Sequence, residues 1–186
     1  MVADIGTGDG RAVLARAAAE PTSLVLGVDA AAPAMAEASR RAARRGPANA
    51  MFLAVGAETL ADTILAGRMD LVTITFPWGS LLRGVLGLDA QALAGVAALV
   101  APGGRIEVLV SVVASDGVDG IATLDAGWDP AMCRAWAGAG QDLVSMRPAT
   151  SAEIAASRSS WARRLRPDRA SRPVWRLELC RPSGRR

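Results

Sequence analysis

The chain has no histidine, no tyrosine and no lysine, and all 21 of its basic residues are arginine. These absences remove whole classes of chemistry. Without histidine there is no Ser-His-Asp hydrolase and no imidazole-bound metal, and without lysine no Schiff base. Asp, Glu, Cys and positioned dipoles are left as tools. Arginine in place of lysine, beside abundant Ala and Gly, reads as genomic base composition. Cysteine is scarce as well: Cys133 and Cys180 stand far apart, which suits a reducing compartment and predicts neither a disulfide nor a zinc or other metal site. Long apolar runs are missing too. The longest, 106–114, is broken by Glu107 and is too short to span a bilayer, and the N-terminus lacks the charged and apolar segments of a signal peptide. Cytoplasmic residence is the expectation.

At 186 residues and 51% hydrophobic content, the sequence predicts one compact domain, 1–186, with a real core. Its charge is uneven. Residues 1–150 hold 11 Arg against 15 acidic residues, a balance of −4, whereas 151–186 hold 10 Arg against 3, a balance of +7. Trp161 and Trp175 interleave with the arginines of this tail, and 174–180 alternates like a strand, so the segment reads as a folded basic surface for a polyanion. The alternative is a solvated or frayed terminus.

Periodicity and punctuation predict alternating strands and helices. Strands are expected at 2–5, 24–28, 51–55, 71–75, 105–113, 143–146 and 174–180. Helices are expected at 11–19, 33–45, 58–66, 89–100, 130–137 and 151–157, with Pro33 and Asp89 as N-terminal signals. The expected fold is α/β: a doubly wound, mostly parallel sheet with ligands at the carboxyl ends of its strands. Met35, Met51 and Met69 are assigned to buried faces. Trp128, Trp136 and Trp175 are assigned to packing, the usual task of a lone tryptophan.

Two stretches carry chemistry. In Asp4-Ile5-Gly6-Thr7-Gly8-Asp9-Gly10-Arg11 the glycines let backbone pass close to a ligand at a helix N-terminus, and Asp29 closes the next strand as a carboxylate able to hold ribose hydroxyls. A dinucleotide fingerprint needs glycine where Arg11 stands, which makes NAD the weaker candidate. The second stretch is Phe76-Pro77-Trp78-Gly79-Ser80-Leu81-Leu82. Here proline ends a strand and leaves an indole at its carboxyl edge.

The glycine loop resembles motif I of class I S-adenosylmethionine (SAM) methyltransferases. Asp29, Ala57-Glu58 and Leu99-Val100-Ala101-Pro102-Gly103-Gly104-Arg105 fall where that family has its later landmarks. Together with Phe76–Leu82 and Ser159-Ser160-Trp161-Ala162-Arg163-Arg164-Leu165, the blocks resemble the Kam- and Npm-type aminoglycoside-resistance methyltransferases that modify N1 of adenine 1408 in 16S rRNA. The resemblance covers nearly the whole chain. It implies a seven-stranded class I fold with an antiparallel C-terminal strand, SAM as cofactor, and 16S rRNA within the assembled 30S subunit as partner of a monomer.

By that resemblance Trp78 and Trp161 sandwich a flipped adenine, with Asp4 beside them as a catalytic residue. Asp4, Gly6, Gly8, Gly10, Asp29, Ala57, Glu58, Ser80 and Ser159 would hold the cofactor. Arg164, Arg169 and Arg172 would contact RNA. Arg40, Arg41, Arg44 and Arg45 could add a phosphate-facing patch, although a solvated helix face is the favoured reading. Two departures from the family stand out. Its N-terminal hairpin and helix are not in this sequence, and no basic residue lies between Arg105 and Arg134, where relatives place an RNA-contacting Arg. A small-molecule or other RNA methyltransferase, and an inactive SAM-binding homologue, remain the alternatives at this point.

Overall fold

In a computed structural model of the chain, residues 1–118, 124, 129–165 and 172–184 are described, without the side chains of 163–165. Strands Val2–Ile5 (β1), Val25–Asp29 (β2), Ala50–Ala54 (β3), Met69–Thr75 (β4), Val100–Val110 (β5), Asp142–Pro148 (β6) and Trp175–Cys180 (β7) form one seven-stranded sheet, in the order β3-β2-β1-β4-β5-β7-β6. Pairings from β3 to β5 are parallel, and β7 runs antiparallel to both β5 and β6. This is the doubly wound sheet with an antiparallel final strand that the alternation and the resemblance imply. Strand order reverses between β1 and β4, so a crevice opens at their carboxyl ends.

Successive strand residues point to opposite faces, and the core divides accordingly. Val2, Val25 and Leu71 pack with Val13 and Ala17 of helix α1 (Arg11–Ala19). Their neighbours Ala3, Leu26 and Val72 belong to the larger core, with α3 (Gly79–Val85), α4 (Ala90–Leu99) and α5 (Pro130–Gly138). Helix α2 (Ala32–Arg45) buries Met35 and Ala38 and turns its four arginines outward. Asp89 caps α4 as expected, accepting hydrogen bonds from the backbone N–H groups of Gln91 and Ala92 at 3.1 and 3.0 Å.

Several boundaries differ from the sequence reading. The helix expected at 58–66 is a 3₁₀ turn, Ala57–Asp62. Strand β5 begins at Val100, because Val100 pairs with Met69 before a register shift at the glycine turn. Met51 is 54% exposed, because it lies on edge strand β3 rather than under a helix. Trp136 and Trp175 are buried, their indole N–H groups bonded to the carbonyls of Val85 and Leu124, each at 2.9 Å. Trp128 lies outside the described residues. No single helix among the described residues is long and apolar enough to cross a membrane.

Candidate active site

The glycine loop occupies the carboxyl end of β1, at the switch point. Gly8 has φ +58°, and a Cβ there would meet nothing within 4 Å. Its glycine therefore answers to the left-handed backbone rather than to packing, and leaves the space beside it open. At Gly10 the reason differs, since a Cβ would strike the Phe52 ring and Ala38. Asp29 stands across from the loop. Its Oδ2 accepts from the Gly8 N–H and its Oδ1 from the Ala31 N–H, both at 2.8 Å. A carboxylate oxygen has two lone pairs, so Asp29 keeps acceptor capacity for a diol.

Asp4 is the one acid in the loop enclosed by protein, and burial raises its carboxyl above the ordinary carboxylate range. Hydroxyls of Thr7 and Thr73 oppose that shift. Of the two, Thr73 makes a well-formed bond, 2.8 Å to Oδ1, while Thr7 Oγ1 is buried without a partner. A desolvated carboxylate and an orphan hydroxyl side by side are suited to a cationic, hydrogen-bonding ligand group. From Asp4, Thr73 and Thr75 a cleft of about 350 Å³ runs past Ser157 and Arg158 to Arg16 on α1.

Ala57 and Glu58 follow β3 at the same edge, Ala57 buried and Glu58 exposed. Their position depends on a residue the sequence reading passed over. Gly95 in α4 lies so close beneath the 3₁₀ turn that a Cβ would come within 1.8 Å of the Ala57 carbonyl oxygen. A lone glycine inside a helical pattern is the signal that could have found it.

Beyond β4 the chain turns out at Phe76, whose N–H still bonds to the Leu109 carbonyl at 2.8 Å. Trp78 then becomes the N-cap residue of α3, a helix hidden in the sequence behind Pro77 and Gly79. Ser80 is exposed on its first turn. On the other side, α6 (Ser151–Ala156) leads to α7 (Ser160–Leu165), and the Ser159 hydroxyl accepts from the Trp161 N–H at 3.2 Å. Ser159 thus acts as a cap. The fold brings the two indoles together: ring centroids lie 5.8 Å apart with planes tilted by 41°. A base stacked on both faces needs about 7 Å, twice the ~3.4 Å stacking interval, so the rings must part and align to admit one.

The expected RNA-contacting arginines divide. Arg164 lies on α7 with its side chain outside the description, and Arg169 lies outside the described residues. Arg172 is engaged within the protein. Its guanidinium forms a fork with Asp116, at 3.1 and 2.6 Å, with both side chains largely buried. Burial works to raise the Asp116 carboxyl, but bonds from Arg172 and the Val113 N–H outweigh it and hold it below its ordinary value. On α2, Arg40 pairs with Glu37 at 3.0 Å, while Arg41, Arg44 and Arg45 are exposed.

Comparison with known proteins meets this geometry. Residues 1–179 match the family model described as NpmA, 16S rRNA (adenine(1408)-N(1))-methyltransferase. Enzymes of that name from Streptoalloteichus tenebrarius and Streptoalloteichus hindustanus are 34% and 32% identical, each alignment covering 91% of this chain and 81% of the relative. A crystal structure of the 16S rRNA (adenine(1408)-N(1))-methyltransferase W203A mutant with cosubstrate SAM, from Catenulisporales acidiphilia, superposes with a TM-score of 0.82 at 30% identity. It covers 100% of this chain and 87% of that one. SAM suits the donor set described above: Asp29 for a ribose diol, the open backbone at Gly8 for close approach, and desolvated Asp4 for a cationic group. The chain belongs to the 16S rRNA (adenine(1408)-N(1))-methyltransferase family and is a SAM-dependent rRNA adenine-N1 methyltransferase.

Proposed function

We propose that this chain, acting as a single-domain monomer, methylates N1 of adenine 1408 in 16S rRNA of the assembled 30S subunit, giving aminoglycoside resistance. In this reading the target adenine leaves its helix and is held between Trp78 and Trp161. The observation that carries it is the pairing of two exposed indoles, from distant parts of the chain, beside the switch-point crevice. Flipping a base costs a few kcal/mol, and stacking returns roughly 1–3 kcal/mol per base, so an aromatic clamp offsets much of the cost.

The bare side-chain inventory suffices for this reaction. Adenine N1 offers a lone pair at neutral pH, so no general base is needed. Bound SAM supplies an electrophilic sulfonium methyl. What remains for the protein is to align nucleophile and methyl and to exclude water, with Gly6, Gly8, Gly10, Asp29, Ala57 and Glu58 holding the cofactor. Asp4, Ser80 and Ser159 face its methionine end and the target. Arg164 and Arg169 supply phosphate contacts, while Arg172, paired with Asp116, braces the tail.

The test is primer extension across adenine 1408 on 30S subunits treated with protein and SAM. The wild type is expected to arrest reverse transcriptase there, and Trp78→Ala or Trp161→Ala to lower methyl transfer by about 10²-fold, the scale of a misplaced reacting group. Unhindered read-through after wild-type treatment, with label passing instead to small molecules, would overturn the reading. Full activity in both tryptophan variants would remove the clamp from it.

A further inference from the structure

Among the described residues, two that are not glycine have positive φ: Phe76 at 51° and Arg158 at 52°. L side chains visit this region rarely, and isolated outliers concentrate where a site needs unusual backbone. Each outlier here precedes one of the paired tryptophans, Phe76 by two residues and Arg158 by three.

Neither sits in an open turn. Phe76 still completes the ladder to β5, and it is the last residue before the chain leaves the sheet. Arg158 is the joint between two helices: its N–H bonds to the Ala155 carbonyl at 3.3 Å, closing α6, and the Ser159 hydroxyl next to it caps α7. The Arg158 side chain is exposed, and no hydrogen bond or ion pair holds it among the described residues. Its backbone rather than its guanidinium is the constrained part. Below, the two kinks share a floor. Phe76 is buried with Leu109 and Val174, and Ile154 of α6 and Ala162 of α7 pack on that cluster.

We infer that Phe76 and Arg158 are positioning residues for the aromatic pair: two left-handed kinks over one apolar floor aim the indoles at each other before any nucleic acid arrives. The catalytic consequence rests on the clamp reading above; the geometric content does not.

Arg158 allows a clean test, because it is exposed and outside the core. Asparagine accepts the left-handed region and a β-branched residue does not, so Arg158→Asn and Arg158→Val separate backbone from side chain. Three quantities are read on the full chain: the exciton couplet of the stacked indoles by circular dichroism, SAM affinity, and kcat/KM on 30S subunits. Wild type and Arg158→Asn are expected to share the couplet, and Arg158→Asn to keep several-fold more kcat/KM than Arg158→Val. Arg158→Val is expected to lose most of the couplet and about tenfold or more in kcat/KM, with SAM affinity unchanged. Should that variant fail to fold, Arg158→Ala carries the same test with a smaller loss. An unaltered couplet in Arg158→Val, no couplet in wild type, or an Arg158→Asn variant as impaired as the valine one overturns the inference. If Trp78→Ala and Trp161→Ala still methylate while Arg158→Val abolishes the couplet, the clamp reading fails and the positioning role stands.

Discussion

Trp78 and Trp161 are almost equally exposed, at 40% and 39%, yet they stand on different ground. Trp78 follows a strand in the middle of the sheet, with Phe76 and Pro77 buried before it and Leu81, Leu82, Gly84 and Val85 of α3 buried after it. Trp161 follows α6, a helix with no buried residue. Polar contacts hold that helix: Thr150 and Glu153 close a capping box, and Glu153 pairs with Arg147 and, at 3.5 Å, with Arg176. Exposed ion pairs contribute about 0–1 kcal/mol each, whereas burying one leucine contributes roughly 1.5–3 kcal/mol. One jaw is therefore part of the core, and the other is clipped to it. If a base is to enter between the rings, which stand 5.8 Å apart, the less anchored Trp161 side is the one expected to yield.

The largest effect that could break this comparison lies in the fixed jaw. Leu82 is 4% exposed within the main core, so Leu82→Ala should cost about 2–5 kcal/mol of global stability. Thermal unfolding checks it: a clear fall in Tm is expected, with the whole domain melting together. An unchanged Tm would mean that α3 is no better anchored than α6, and the contrast would collapse.

The sheet and the glycine loop at its switch point were the parts legible in the sequence. Asp4–Gly10 and Asp29 could be read because backbone geometry at a switch point demands glycine and an acid at set places, and the structure puts them at that crevice. Asp89 announced its cap. Helix α3 could not be read, because Pro77-Trp78-Gly79 signals a turn and only tertiary packing makes 79–85 helical. Nor could the pairing of Arg172 with Asp116, which joins residues 56 apart and depends on how the tail returns to the sheet. The kinks at Phe76 and Arg158 were invisible for a different reason: neither residue type prefers positive φ, so the surrounding packing imposes it. Trp161 was readable as part of a motif, but what holds it was not.

A smaller effect sharpens the comparison from the other side. The Thr150 hydroxyl accepts from the Glu153 N–H at 3.2 Å, and Thr150→Ala should cost about 1 kcal/mol, the usual worth of such a cap. Because α6 contributes nothing to the main core, that cost should appear locally. Hydrogen exchange is expected to quicken in 151–157 with little change in Tm. A global fall in Tm matching that of Leu82→Ala would place α6 in the same cooperative unit as α3.

The smallest effect is a pH dependence confined to the clipped jaw. Hydrogen bonds from Arg147 first, and then from the Thr150 N–H, hold the Glu153 carboxyl well below its ordinary value of 4.5. A carboxyl depressed in the folded state contributes stability that is complete above its unfolded value and declines as pH falls through the folded one. Fastening of α6 should therefore be constant from neutrality to about pH 5 and weaken progressively below the ordinary Glu range. Glu107 and Glu178 also face Arg176, so protonated Glu153 leaves that arginine with other partners and the jaw loosens without the sheet coming apart. Asp116 is depressed as well, and its pairing with Arg172 will lower overall stability in acid in any variant. The informative comparison is thus Glu153→Gln against wild type, followed at the amides of 151–157. Wild type should lose protection there as acid is added, and the glutamine variant should start less protected and stay nearly level. Parallel pH profiles in the two proteins would show that Glu153 does not fasten the jaw, and the apolar floor beneath Ile154 and Ala162 would then be what holds Trp161 against Trp78.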